Sequence, residues 1–445
     1  MVPLDARLED WQVVLCGTPD RLRDLVESHG SPLNLIAPGP MARNAAELAD
    51  AASRAGVELG IFFARKANKA LSFVDEARRL GLGVDLASEP ELQQALERGV
   101  SGSRMVMTAA VKPRSLLELC VRSGVTVALD NPDELRALSS VATALGQQAR
   151  AALRLTADLG PGRPPSRFGF APEEALAIAR GEPRAGIRFD GVHFHLDGYA
   201  SADRVLAMSQ ALPLVDALRA AGHDATFLDI GGGIPMSYLE DGGQWQRFGA
   251  AAAGGNLTYD GHPIGPTYPY HQSPVRGQWL TDVLGAALAE GSGTVAGALR
   301  ERRLQLRCEP GRALLDGCGM TVARVVHRKP RRDGDWLIGV EMNRTQCRST
   351  SDDFLVDPLL LPTGEDAGEP IEGFLTGAYC IEAELLTWRR LRFPEGVGIG
   401  DLVVFPNTAG YLMHILESSS HQMPLARNLV IGPGGTAELD PVDGG

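Results

Sequence analysis

The chain has 445 residues, 44% of them hydrophobic and 22% charged, as expected for a globular protein with room for two domains. Its formal net charge of -12 argues against a nucleic-acid partner, which needs a basic face to meet phosphates, and no apolar stretch is long enough to span a bilayer. Met1 to Glu9 lacks a signal-peptide core, so a cytoplasmic location is expected, and the six scattered cysteines, with no C-x-x-C pair, are expected to be free thiols.

One strand, Leu33–Ile36, is predicted within the first 40 residues. From there to residue 311, β-rich runs alternate with Ala/Leu/Glu-rich helical stretches. The predicted strands are Gly60–Ala64, Gly83–Leu86, Met105–Thr108, Val125–Leu129, Ala152–Thr156, Val192–Leu196, Phe227–Ile230 and Leu304–Cys308. Between them lie capped helices: Ser88-Glu89-Pro90-Glu91 opens one with an N-cap serine, a first-turn proline and a capping-box glutamate. Eight alternating βα units favour a closed TIM-type α/β barrel over an open sheet. Residues 241–275, rich in Gly, Pro, Tyr and His (Gly254, Gly255, His262, Pro266, His271), read as a structureless insertion, either a disordered segment or an active-site lid. After residue 311 come short runs punctuated by Gly and Pro, namely Met320–Val326, Trp336–Val340, Gly373–Leu375 and Asp401–Phe405, the pattern of a mostly antiparallel β domain. The expected division is a barrel over 41–311, with 1–40 and 312–445 forming the β domain.

Functional residues of such barrels sit at the C-terminal strand ends. Here those ends carry Lys66, Asp85, Thr108, Asp130, Arg154, His195, Gly231–Gly233 and Glu309. Lys66 closes the apolar run Ile61 to Ala64; desolvation there is expected to disfavour its ammonium form and free the amine for imine formation. Three glycines after the seventh strand let backbone N–H groups approach an anion with no Cβ in the way. Glu309-Pro310-Gly311-Arg312 puts a carboxylate at the eighth strand end and an arginine close by for a phosphate or a second carboxylate. An amine, an anion cradle and a carboxylate together suit an aldehyde, a phosphate and a ring nitrogen, and pyridoxal 5′-phosphate (PLP) has all three.

These segments resemble, in order, the motifs of the fold-type III PLP-dependent decarboxylases, the group that includes diaminopimelate, ornithine and arginine decarboxylases. The segments are Phe63-Ala64-Arg65-Lys66-Ala67-Asn68, Gly83-Val84-Asp85-Leu86-Ala87-Ser88, Ser166-Arg167-Phe168-Gly169 and Gly191-Val192-His193-Phe194-His195. Leu228-Asp229-Ile230-Gly231-Gly232-Gly233, Glu309-Pro310-Gly311-Arg312, the stretch around Cys380, and Gly410-Tyr411 complete them. The likeness runs from about residue 30 to 425 and implies an alanine racemase-like barrel architecture and a cytoplasmic homodimer with its active site shared across the interface. It implies that Lys66 forms the internal aldimine and that Gly231, Gly232, Gly233, Gly311, Arg312 and Tyr411 hold the cofactor phosphate. His195 would stack on the ring, Asp85 and Arg154 would lie beside the cofactor, and Glu309 would pair with the pyridine nitrogen. Decarboxylation would pass through an external aldimine and a quinonoid, with Cys380 as the acid that reprotonates the carbanion.

Departures from the family pattern bear on the substrate. Ile381 stands where an acidic residue usually meets the substrate's distal amino group, with Glu382 and Glu384 nearby; with Arg312, these are the candidate substrate-binding residues. A distal ammonium facing Ile381 would be left unpaired, which disfavours lysine, ornithine and meso-diaminopimelate and points to a specialised, conjugated or secondary-metabolite amino acid. Thr108-Ala109-Ala110-Val111-Lys112 and His195-Leu196-Asp197-Gly198 each lose a polar group found in the family. Three other readings stand beside this one. A PLP-dependent racemase would place arginine, not Glu309, on the ring nitrogen. A metal hydrolase would use His193 and His195 as ligands on one face of a strand. A catalytically inactive homologue binding a partner would be marked by loss of Lys66 or Cys380, and both are present.

Overall fold

A computed structural model describes residues 2–181, 184–252, 257–265, 267–288, 293–349, 354–363 and 368–444. Strand β1 (Leu33–Ile36) belongs to a large sheet. The next eight strands close into a parallel barrel in chain order: β2 (Leu59–Ala64), β3 (Gly83–Leu86), β4 (Met105–Met107), β5 (Thr126–Leu129), β6 (Ala149–Arg154), β7 (Ile187–His193), β8 (Phe227–Asp229) and β9 (Gln305–Cys308). Parallel barrel strands are covered on both faces and therefore read as continuous apolar runs; Ile61 to Ala64 and Gly83 to Leu86 are buried throughout. The helix Glu89–Glu97 starts as expected, Ser88 accepting the Glu91 N–H at 3.3 Å, although the Glu91 carboxylate caps the Ala87 N–H (2.7 Å) rather than that of Ser88.

Two strands lie earlier than predicted. β6 begins at Ala149 and β7 at Ile187. Arg150, Arg188 and Asp190 interrupt the apolar pattern there, yet they satisfy one another: Asp190 accepts from Arg150 Nε and from Arg188 Nε, each at 2.6 Å. Paired charges are tolerated in a strand where isolated ones are not. His195 consequently lies two residues beyond the end of β7, in the following loop.

Among the described residues, the second sheet has nine strands, with β10 (Gly319–Pro330), β11 (Trp336–Val340), β12 (Leu359–Leu361), β13 (Ile371–Thr376), β14 (Leu391–Phe393), β15 (Leu402–Pro406), β16 (Arg427–Ile431) and β17 (Ala437–Leu439) joining β1. It is mostly antiparallel, with parallel pairs β1·β16 and β11·β13. The N-terminal strand sits between β10 and β16, so both ends of the chain build this sheet. The helix Pro19–His29, not foreseen from the sequence, packs Leu22 and Val26 against Leu33, Met320, Val404 and Leu429; burying each such side chain is worth roughly 1.5–3 kcal/mol.

The 241–275 insertion is not structureless. Its described part carries the helix Gly242–Ala252 and buries Phe248, Tyr268 and Tyr270; Gly254, Gly255 and Pro266 lie outside the described residues. Among the described residues, no helix is long and apolar enough to cross a membrane.

Candidate active site

Lys66 sits in the single 3₁₀ turn Arg65–Ala67 directly after β2. Its Nζ is 2.6 Å from Asp85 Oδ2 on the adjacent strand β3, and the Thr108 hydroxyl donates to the other carboxylate oxygen of Asp85. Burial alone would lower the Lys66 pKa, as expected from the sequence, but Asp85 and Glu309 outweigh burial and hold it above its ordinary value. The expectation of a freed amine is therefore corrected: this lysine stands as an ammonium, neutralised by Asp85.

Glu309, immediately after β9, is fully buried. His193 Nε2 lies 3.2 Å from its Oε1 and donates to it, whereas Oε2 has no hydrogen-bond partner. Burial pushes the Glu309 carboxyl up, but His193 and Lys66 overcome this and hold it well below the usual carboxylate range. Asp229, at the end of β8, behaves oppositely. Burial first, and then the Glu309 charge, push its pKa well above the ordinary value. The two buried carboxyls are thus pushed in opposite directions, Glu309 toward its charged form and Asp229 toward its protonated one.

The loop after β8 turns through Gly231 (φ +66°) and Gly233 (φ +73°). A Cβ on Gly231 would fall 2.7 Å from His195 Nδ1, so the histidine packs against bare backbone. The Gly232 N–H donates to His195 Nδ1 at 3.1 Å, which leaves that nitrogen without a proton and the ring neutral; burial lowers the His195 pKa in the same sense. The metal-hydrolase pairing of His193 with His195 is not what the barrel assembles: His193 meets Asp229 and Glu309, while His195 turns to the glycine loop.

A cavity of about 270 Å³ opens here, lined by His195, Asp197, Gly233, Gly311, Arg312 and Tyr411 among others. Gly311 must lack a side chain, since a Cβ would lie 2.5 Å from the Tyr411 hydroxyl. The Tyr411 N–H is bonded to the Ala67 carbonyl (2.8 Å), tying this wall to the lysine turn. Arg312 donates to the Tyr238 hydroxyl at 2.6 Å and to the Gly410 carbonyl at 3.0 Å. Its guanidinium lies 4.2 Å from the ring centre of Tyr268, 5.2 Å from Tyr411 and 5.9 Å from Tyr238, within cation–π range. Tyr199 stands edge-on to Tyr268 at 5.3 Å, and burial pushes its hydroxyl up to about 12. Four of the chain's seven tyrosines therefore surround one arginine, and Tyr268 comes from the insertion.

Lys66, Asp85, Glu309, His195, Gly231–Gly233, Gly311, Arg312 and Tyr411 thus meet at one barrel mouth. Arg154 closes β6 nearby, 3.2 Å from Asp130 and 4.4 Å from the Phe168 ring centre. Cys380, Ile381 and Glu382 do not join the cavity of this chain; all three are exposed. Glu384 is buried and engaged within its own chain, accepting the Arg344 N–H at 2.8 Å. Tyr411 was expected at this site; Tyr199, Tyr238 and Tyr268 were missed because no spacing connects them to it or to one another, and the aromatic content of the insertion was the available signal for Tyr268.

PLP, the group implied by the sequence resemblance, presents an aldehyde, a pyridine nitrogen and a phosphate. The residues fit each of them: Lys66 for the first, the partnerless buried Glu309 Oε2 for the second, and the glycine-walled cavity with Arg312 for the third.

Residues 43–253 match the family model described as "Pyridoxal-dependent decarboxylase, pyridoxal binding domain". The chain is 34% identical over 422 residues to "Uncharacterized protein y4yA" of Sinorhizobium fredii, covering 92% of this chain and 90% of that protein. It is 26% identical over 329 residues to the diaminopimelate decarboxylase of Pseudomonas aeruginosa, covering 71% and 69%. The crystal structure of diaminopimelate decarboxylase from M. jannaschii with L-lysine superimposes with a TM-score of 0.75 at 18% identity, over 94% of this chain and 91% of that one.

Proposed function

This chain belongs to the pyridoxal-dependent amino-acid decarboxylase family and uses PLP, and from that membership we propose that it removes the α-carboxylate of an amino acid, or an amino-acid-derived substrate, without a free distal ammonium. When bound, PLP supplies an electron sink for the pair left by the breaking bond. Lys66 would hold the cofactor through its aldehyde, and Asp85, 2.6 Å from Nζ, stabilises the lysine side chain as an ammonium whenever it is free. Glu309 would face the pyridine nitrogen with its carboxylate and favour positive charge there. That buried, partnerless carboxylate oxygen carries the reading, because a racemase would put a cation there. His195 would pack on the ring face, Arg154 balances the neighbouring carboxylates, and Gly231–Gly233, Gly311, Arg312 and Tyr411 would hold the phosphate.

A proton must return to the substrate carbon, and Cys380 is the donor we assign. It is exposed and absent from the lining of its own chain's cavity, which supports delivery by Cys380 of the partner subunit in a homodimer. Glu382, exposed on the same loop, faces the substrate in that arrangement, and Glu384, held by Arg344, shapes the loop. We take 41–311 as the cofactor-binding unit and 1–40 with 312–445 as the second. Ile381, 46% exposed beside Cys380, offers no charge to a distal ammonium, which supports a conjugated or apolar substrate side chain.

The test is a panel of D- and L-amino acids and side-chain conjugates assayed for CO2 release by the purified holoenzyme. The visible band of Lys66-bound cofactor should vanish in Lys66→Ala. Release from a conjugated or uncharged side chain supports the proposal; preference for free lysine, ornithine or meso-diaminopimelate overturns the substrate class. A coloured protein that decarboxylates none of the panel overturns the activity.

A further inference from the structure

Arg204, in the first turn of the helix Ser201–Ala220, is fully buried. Arginine is almost never fully buried without an anion, yet among the described residues no carboxylate forms an ion pair with it. Its Nη2 instead reaches four backbone carbonyls, those of Leu196 (3.1 Å), Gly198 (2.7 Å), Gly232 (3.3 Å) and Gly233 (3.4 Å). These oxygens belong to the two loops after β7 and β8, and Leu196, Gly198 and Gly233 also line the cavity. Nε and Nη1 are buried and have no hydrogen-bond partner. Burial lowers the Arg204 pKa to about 10, so the group is still a cation at neutral pH.

A cation that gathers carbonyls behind two loops leaves the opposite poles of those peptides, their N–H groups, to the front. Among the described residues, the N–H groups of Gly233 and Ile234, which belong to two of these peptides, have no hydrogen-bond partner, and neither do those of Gly311 and Arg312 from the adjoining loop of the cavity wall. Successive free N–H groups backed by fixed positive charge make an anion-binding concavity. The fit is close, because a Cβ on Gly233 would overlap Arg204 Nη2 and the Gly198 carbonyl oxygen lies 2.7 Å from the same point. Gly198 itself brings no hydroxyl to the loop, and Asp197 brings a carboxylate to the rim that opposes the Arg312 charge, so a second cation behind the wall strengthens the site for an anion.

We propose that Arg204 is the positioning residue of the phosphate cradle: from behind the wall it fixes the carbonyls of both loops and adds the charge that holds the cofactor's phosphate. This rests on the PLP reading above. Arg204 touches neither substrate nor reacting atoms; it acts through the backbone and through its field.

The experiment titrates full-length apoprotein with PLP and with pyridoxal, which lacks the phosphate, following the visible band, in the wild type, Arg204→Met, Arg204→Gln and Arg204→Lys. Gln retains donors for the carbonyls without the charge, which guards against a Met variant that fails to fold. We expect Gln and Met to lose roughly ten- to hundredfold in PLP affinity, as for loss of a charge-assisted contact, while pyridoxal affinity changes by less than about threefold and Lys remains near wild type. Equal losses for PLP and pyridoxal, or unchanged PLP affinity in Gln, would overturn the proposal. Wild-type protein that binds neither compound would overturn the PLP reading itself, a result legible before any variant is compared.

Discussion

Asp85→Asn separates the effect of burial from the effect of charge at Lys66. The two groups are 2.6 Å apart. Unit charges at that separation attract by about 2 kcal/mol in water and about 6 kcal/mol at an effective permittivity near 20. The amine is equally desolvated in both proteins, but its side chain is 30% exposed and the substituted amide keeps a dipole, so screening leaves a net effect of about 1.5–3 kcal/mol, or roughly one to two pH units on the lysine titration. The direction follows from the sign: Asp85 raises the Lys66 pKa, so its neutralisation lowers it and enlarges the free-amine fraction at any pH below the wild-type midpoint. The assay is stopped-flow capture of PLP by apoprotein across a pH series. The midpoint of the rate profile should move to lower pH by one to two units, with capture at neutral pH accelerated in proportion. An unmoved midpoint would refute the reasoning, since it would mean that the carboxylate does not set the ionisation of Lys66.

Glu309→Gln removes the charge beside the ring nitrogen while keeping the shape of the group. We expect the visible cofactor band to persist and CO2 release to fall by roughly 10- to 150-fold, the equivalent of about 1.5–3 kcal/mol for a charge-assisted hydrogen bond. Tyr268→Phe loses the bonds to the Met236 carbonyl (3.1 Å) and Gln272 Nε2 (2.7 Å) but keeps the ring beside Arg312, so PLP affinity should change little. Tyr268→Ala removes the ring, and binding titrations should show PLP affinity reduced by about tenfold.

The barrel was legible because its strands are apolar on both faces, and the residues at their mouths stood out as polar interruptions. The same logic misplaced β7, where Arg188 and Asp190 are apolar-pattern breaks that pair with each other in space. In the second sheet, β12, β14 and β17 are three residues long, too short for a period of two to register. Lys66 illustrates a deeper limit. Its burial could be inferred from Ile61 to Ala64, but the side chain facing it comes from the neighbouring strand, and only strand register (Ala64 opposite Asp85) brings that carboxylate within reach. Arg204 was illegible for a related reason, since its partners are carbonyls, which any sequence would supply.

The base of the site poses a last question of charge. Asp229 and Glu309 share one buried patch with His193, and two like charges so close cannot both be stable in a low-dielectric interior. The Asp229 carboxyl accepts the Gly231 N–H at 2.9 Å through Oδ1, whereas Glu309 has the His193 donor and the field of Lys66; the charge therefore settles on Glu309. Asp229→Asn then puts a neutral amide of similar shape in place of an acid that burial and Glu309 push toward its protonated form, and it should leave the visible band and CO2 release within about threefold of wild type at neutral pH, in contrast to Glu309→Gln. A raised pKa means that Asp229 favours the fold at low pH and loses that contribution as pH rises past its unfolded value, whereas Glu309, held low, contributes above its unfolded value and is lost as the solution is acidified. If Asp229→Asn were instead as damaging as Glu309→Gln, the negative charge would have to reside on both residues or on the wrong one, and the assignment of Glu309 Oε2 to the ring nitrogen would lose its electrostatic basis.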